Sequence, residues 1–240
     1  LIITTRDTVY ILKDRYNTRP MCLGKNNVSY CVSSESCALI NYELVREIDS
    51  GEIISINKYG IKELYKSDNI SEAKCLFEFI YFLKGTSKIN NLNINTFRFK
   101  TGKILAEIDK NSDFNTEDLI VVGAPETGIP SGEGYAKFLN LQYCQVLKKN
   151  KKINRTFILE SNSKRDEISK QKYYIDHNFD ISDKRILLTD DSLVRGITLK
   201  NIVKKNKENH IKEIHIRIAA PAIYNPCFNG IDIPKKEEII

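Results

Sequence analysis

Apolar residues along this chain fall into two kinds of run. In the later part they form short, unbroken stretches, Leu119-Ile120-Val121-Val122-Gly123-Ala124 and Arg185-Ile186-Leu187-Leu188-Thr189. Each is bounded by turn residues, the pattern of a strand buried on both faces. Each gives way to a polar loop and then to a helical pattern, over 131–139 after the first and 199–207 after the second. Leu199, Ile202 and Val203 in the latter stand at helix spacing. Ile214-His215-Ile216-Arg217-Ile218-Ala219-Ala220 alternates like a strand. Residues 1–65 carry shorter β-rich runs instead: Leu1-Ile2-Ile3 and the segments 9–12, 29–33 and 52–56. Turns at Asp49-Ser50-Gly51 and Lys58-Tyr59-Gly60 separate them, and one short helix fits 36–46. The pattern therefore predicts an α+β part, a polar link over 66–74, and an α/β part.

Composition narrows the class. The chain has 240 residues, 41% hydrophobic and 28% charged, which suits one large folded domain or two small ones. The net charge of +6 comes from lysines spread along the chain, so an anionic small molecule fits it as well as a nucleic acid does. No run reaches the roughly 18 apolar residues of a membrane span, and no leader pattern is visible, so a cytoplasmic location is expected. The six cysteines (Cys22, Cys31, Cys37, Cys75, Cys144 and Cys227) lack any Cys-x-x-Cys spacing, and free thiols are the expectation.

Candidate chemistry concentrates where the second apolar run ends, at Asp190-Asp191-Ser192-Leu193-Val194-Arg195-Gly196-Ile197-Thr198. Open α/β sheets bind ligands at the carboxyl ends of their strands. Backbone amides in such a loop and at the following helix start can cradle a phosphate, with Gly196 allowing close approach. The carboxylates can take ribose hydroxyls or a Mg²⁺ ion. An acidic pair alone more often just starts a turn or caps a helix.

The full nine residues resemble the phosphoribosyl-pyrophosphate (PRPP) loop of type I phosphoribosyltransferases, in the form found in the amidophosphoribosyltransferase (glutamine PRPP amidotransferase) family. The resemblance extends over nearly the whole chain. Asp14 to Gly24, Ser34-Glu35-Ser36-Cys37-Ala38-Leu39 and Gly51-Glu52-Ile53 are similar to segments late in that family's glutaminase domain. Cys75-Leu76-Phe77-Glu78-Phe79-Ile80-Tyr81-Phe82 resembles its Cys-x-x-Glu-Tyr-x-Tyr-Phe signature, and the segment from Pro221 to Asp232 its Pro-Cys-x-x-Gly-Ile-Asp end. Arg98 and Gly102 match the Arg-x-x-x-Gly that opens the family's first transferase helix, which continues over 101–108, and Lys149, Asn150, Arg155, Thr156 and Phe157 match a mobile flap. Asn162, Arg165, Lys170 and Lys172 follow at related positions. His177, His210 and His215 match no motif and are expected to be structural or exposed.

The resemblance implies a type I phosphoribosyltransferase fold, a central parallel sheet with flanking helices, over 75–240. It implies the later part of an N-terminal-nucleophile glutaminase α+β domain over 1–74, without a nucleophile that can be assigned. It also implies transfer of ammonia, from glutamine in the complete enzyme, to PRPP, giving 5-phosphoribosylamine and pyrophosphate. Asp190 and Asp191 would hold ribose hydroxyls and magnesium, and the segment from Ser192 to Thr198 the 5′-phosphate. Glu126, Thr127 and Gly128 would hold pyrophosphate, with Thr127 facing the metal. Lys149 and Arg155 would close on the flap. Cys75 and Cys227 match two of the four ligands of a [4Fe–4S] cluster found in some members. Self-association is implied, whereas neither a nucleic acid nor a membrane is a partner. Against the family pattern, Ile197 replaces Thr, Lys152 replaces Tyr, Asn154 replaces Gly, and Leu83-Lys84-Gly85-Thr86 replaces Ala-Arg-Pro-Asp. The lost hydroxyl at Ile197 is worth roughly 1–2 kcal/mol. These departures leave two alternatives: a PRPP- or nucleotide-binding regulatory module, or an inactive relic.

Overall fold

The strands predicted from alternation are present in the computed structural model. It describes residues 1–150, 173–176, 178–208, 210–231, 233 and 235–240, leaving aside the side chains of 198, 205–208 and 238. The chain divides into two compact units, Leu1–Asn95 and Thr96–Ile240.

In the first unit, β1 (Ile2–Thr4), β2 (Thr8–Leu12), β6 (Glu52–Asn57) and β7 (Gly60–Lys66) form an antiparallel sheet in that order. A second sheet, also antiparallel, has β3 (Cys22–Lys25) between β4 (Tyr30–Ser33) and β5 (Glu43–Glu47). Ile11, Leu23, Ile48 and Ile54 are buried together as its core, with Val9, Met21, Tyr30, Val32 and Ile56 around them. The short hairpin of β8 (Lys88–Ile89) and β9 (Leu92–Asn93) completes the unit.

One sequence expectation fails here for a local reason. The helix expected over 36–46 is a single 3₁₀ turn at Ser36–Ala38 followed by β5. Arg46 is held in that strand by a two-pronged pair with buried Glu52, at 2.7 and 2.6 Å. The polar segment expected as a link runs along residues 15–18 as a strap. Ser71, Ala73 and Cys75 donate backbone N–H groups to the carbonyls of Arg15, Tyr16 and Thr18. The Glu35 carboxylate accepts from Lys84 N and Ser87 Oγ at 2.8 and 2.9 Å, so residues beyond 74 are also tied into this unit. The compact unit runs to Asn95.

In the second unit, β11 (Gln142–Tyr143), β10 (Leu119–Gly123), β14 (Arg185–Asp190) and β15 (Glu213–Ile218) lie side by side, all parallel. Alternation along the two central strands sends Ile120, Val122, Ile186 and Leu188 to one face, against Leu199 and Ile202 of α3 (Ile197–Glu208). It sends Leu119, Val121 and Leu187 to the other, against Ala106 of α1 (Ile94–Lys110) and Tyr135 and Ala136 of α2 (Ile129–Leu139). Burial on both faces is why these strands read as unbroken apolar runs. Each large side chain so buried contributes about 1.5–3 kcal/mol. Pro130 fits the first turn of α2, where its missing N–H costs nothing, and Asn140 ends it in the left-handed region at φ 54°. Beside the sheet, β12 (Leu147–Lys149) pairs antiparallel with β13 (Tyr173–Ile175).

Candidate active site

The strands β10 and β14 are neighbours in parallel register, Gly123 opposite Thr189, so their carboxyl ends open onto the same sheet edge. Both predicted loops leave from there. The bond from Ala124 N to the Thr189 carbonyl, 2.8 Å, sews the strand ends together. Thr189 is fully buried and donates its hydroxyl to the Gly128 carbonyl at 3.0 Å. Gly128 packs so close that a β-carbon there would lie 2.5 Å from the Thr189 carbonyl oxygen. The peptide between Pro125 and Glu126 is cis.

The first loop reaches the second through one side chain. Thr127 Oγ1 donates to Asp191 Oδ1 at 2.8 Å. Ser192 Oγ donates to Asp191 Oδ2 at 2.9 Å, and the Asp191 amide donates to Asp190 Oδ1 at 2.9 Å. The backbone carbonyls of Asp190 and Asp191 accept from the amides of Ala219 and Ala220, each at 2.9 Å. Glu126 is exposed and Gly128 buried, with Thr127 half-buried between them.

Asp190 and Asp191 are each only 7% exposed. Two adjacent carboxylates with so little water demand compensation. The described partners of the Asp191 carboxylate are hydroxyls, which solvate charge without neutralising it. This oxygen-rich donor set, with Thr127 beside it, fits a hard divalent cation such as Mg²⁺ or the hydroxyls of a ribose.

Beyond the carboxylates the chain turns through Ser192, Leu193, Val194, Arg195 and Gly196 into α3. Leu193 packs on the larger core and Arg195 is exposed. Gly196 has φ +66°, a backbone conformation that favours glycine, and its carbonyl accepts from Lys200 N at 2.8 Å in the first turn of the helix. A helix start beside such a loop is a ready anion cradle. Ile197 is 47% exposed at that start, and the side chain of Thr198 lies outside the described residues.

The base of the expected flap adjoins the same strand end. Gln145 Nε2 donates to the Gly123 carbonyl at 3.0 Å and to that of Leu147 at 2.6 Å. Lys149, half-buried, ends β12, with Asn150 following. Arg155 and the other flap positions named above, with Asn162, Arg165, Lys170 and Lys172, lie outside the described residues, as do His177 and Asp232. His215 pairs with Glu213 and meets the Phe114 ring edge-on.

Cys75 belongs to the first unit and Cys227 to the second, and both are free thiols. A [4Fe–4S] cluster needs four protein ligands, usually thiolates. Among the described residues no group of three or more His, Cys, Asp or Glu is placed to hold a metal ion.

Three features escaped the sequence reading. Thr189, the one hydroxyl in an apolar run, carried a signal in its polarity. Gln145 carried none. The third is an interior ion pair, Asp109 with Arg217, which Tyr135 joins through its hydroxyl. Burial, then the Asp109 carboxylate, pushes the Tyr135 phenol pKa well up, so it remains a donor.

A parallel sheet clad in helices, with a glycine-turned loop and an acidic pair at adjoining strand ends, defines a type I phosphoribosyltransferase domain. Residues 90–226 match the family described as phosphoribosyl transferase domain, and the chain belongs to that family. Over its full length it is homologous to amidophosphoribosyltransferases. It is 36% identical to the rat protein over 262 residues, covering 100% of this chain and 49% of the relative, and 34% identical to that of Bacillus subtilis, again covering 100% and 49%. The chain spans about half the length of the curated relatives it matches. Among solved structures it is similar to the glutamine PRPP amidotransferase of Bacillus subtilis complexed with ADP and GMP, with TM-score 0.86 and 34% identity over 100% of this chain and 52% of that one. A structure described as the allosteric regulatory enzyme of purine biosynthesis matches at TM-score 0.85 and 33% identity, covering 99% and 50%.

Proposed function

We propose that this chain carries the transferase site of an amidophosphoribosyltransferase, which passes ammonia to PRPP and releases pyrophosphate, the first step of purine nucleotide synthesis. The observation that supports it most is the Thr127–Asp191 bond, which brings both strand-end loops to one place in a chain homologous to amidophosphoribosyltransferases along its whole length. In this reading Asp190 and Asp191 take the ribose hydroxyls, and the segment from Ser192 to Thr198 takes the 5′-phosphate. Glu126, Thr127 and Gly128 meet the pyrophosphate.

Thr127, Asp190 and Asp191 would hold Mg²⁺, which supplies positive charge against the departing pyrophosphate. The protein's own part is to fix the sugar, meet growing negative charge with amides and cations, and exclude water. Lys149 and Arg155 are assigned to that last task on the flap. The proposal includes self-association, a cytoplasmic location and an ammonia-dependent rather than glutamine-dependent reaction for this chain.

The test is to incubate the chain with Mg–PRPP and ammonium and measure pyrophosphate release. Release that needs both substrates is expected. Binding without release turns the reading towards a PRPP sensor, and neither binding nor release overturns it. Glutamine-dependent release contradicts the ammonia-only assignment.

A further inference from the structure

The Asp190 and Asp191 backbones hang on two amides, those of Ala219 and Ala220, at the end of β15. Their aim therefore depends on where β15 ends. Two residues earlier, Arg217 stands opposite Thr189 in the parallel register. Its side chain is fastened from several sides. Nε and Nη2 donate to the two oxygens of Asp109, at 2.7 and 2.9 Å, a planar fork that resists sliding. Nη1 donates to the Ile216 carbonyl at 2.9 Å, and the guanidinium lies 4.5 Å from the centre of the Phe114 ring. Asp109, 7% exposed at the end of α1, also accepts the hydroxyl of fully buried Tyr135, on α2, at 2.5 Å. One carboxylate thus joins both helices of that face to the outer strand, beneath the acidic pair.

We propose that Arg217 is a positioning residue for the acidic pair, gripped by Asp109, which Tyr135 in turn holds, so that the amides of Ala219 and Ala220 hold Asp190 and Asp191 where sugar and metal are bound. The proposal rests on the reading of the site given above. Arg217 touches no part of that site. It acts through the strand end, as outer partners of a binding group do.

The experiment compares the 240-residue chain with its Arg217→Lys, Arg217→Met and Tyr135→Phe forms. Mg–PRPP binding is measured by calorimetry, and hydrogen exchange at Ala219 and Ala220 by NMR or mass spectrometry. All are measured at a temperature where circular dichroism shows each form folded. Loss of the fork is expected to weaken Mg–PRPP binding roughly tenfold to a hundredfold and to speed exchange at both amides. Arg217→Lys, which keeps the charge but not the fork, should remain impaired. Tyr135→Phe, which removes one hydroxyl and leaves the fork, should shift both readouts in the same direction by less. A lower melting temperature with unchanged binding and exchange would mean an ordinary structural ion pair and would overturn the proposal. If the unaltered chain fails to bind Mg–PRPP, the reading of the site fails. The exchange rates then still decide whether Arg217 holds the strand end.

Discussion

Replacing Gly128 by alanine tests the close joint between the two loops. The added methyl would sit 2.5 Å from the Thr189 carbonyl oxygen, 2.9 Å from the Ala124 carbonyl oxygen and 3.0 Å from the Ala124 nitrogen. All three are backbone atoms, so no side chain can swing aside. The Thr189 oxygen and the Ala124 nitrogen are moreover bonded to each other at 2.8 Å, and making room strains that bond. Overpacking costs about 1–3 kcal/mol, and loss of one hydrogen bond adds about 0.5–1.5. A destabilisation of about 1.5–4.5 kcal/mol follows, a fall in Tm of roughly 3–18 °C for a domain of this size. Because Thr127 is the adjacent residue, its reach to Asp191 is disturbed, and Mg–PRPP binding should weaken by roughly tenfold to a hundredfold. Differential scanning calorimetry and isothermal titration measure the two effects. A Gly128→Ala chain that melts with the unaltered one and binds Mg–PRPP as tightly refutes the idea that this joint sets the site.

Thr127→Val keeps the shape but takes the hydroxyl from Asp191. The loss should be about 1.5–3 kcal/mol, seen as weaker Mg–PRPP binding by calorimetry, and equal affinity would sink the assignment. Cys22 is 4% exposed, and burial, followed by nearby Glu47, raises its pKa to about 11. Iodoacetamide at neutral pH should spare it while labelling the half-buried Cys31, Cys37 and Cys75. Mass spectrometry finding Cys22 labelled as fast in the folded chain goes against this. Lys13 is 6% exposed, with an ammonium nitrogen that has no hydrogen-bond partner among the described residues. Burial draws its pKa below 10.5, although Asp14, Glu47 and Glu78 pull upward. Between the lowered value and 10.5 the unfolded chain binds more protons, so Lys13 makes stability rise with pH in that window. Urea unfolding of Lys13→Met should show a smaller rise, and identical pH slopes count against the burial cost.

How legible this was in the sequence depended on whether the signal was local. The runs 119–124 and 185–189 declare strands because both faces of the sheet are covered, and each stands within a residue of its observed limits. Helix α1 begins at Ile94, four residues before the Arg98 of the motif expected to open it, and fully buried Ile94 anchors that extra turn. At the site, the acidic pair and Thr127 could be named from their loops, but the bond between Thr127 and Asp191 spans 64 positions and no pattern encodes it. Asp109 and Arg217, 108 positions apart, gave no sign of each other for the same reason. The 36–46 segment was misread since spacing of apolar residues there suits a helix, whereas the carboxylate of Glu52 decides for a strand.

The strap along residues 15–18 bears on how this gene can be divided. A fragment opening at codon 76 would lose the partner of Glu78, which is Arg19, and leave Ser87 without the Glu35 carboxylate. The clustered Phe79, Leu83, Ile89 and Ile94 would travel with it, severed from the hydrogen bonds that seat their loop. Such a product should be sticky and poorly expressed. A cut close to residue 90, where the matched family region starts, leaves most of that baggage behind.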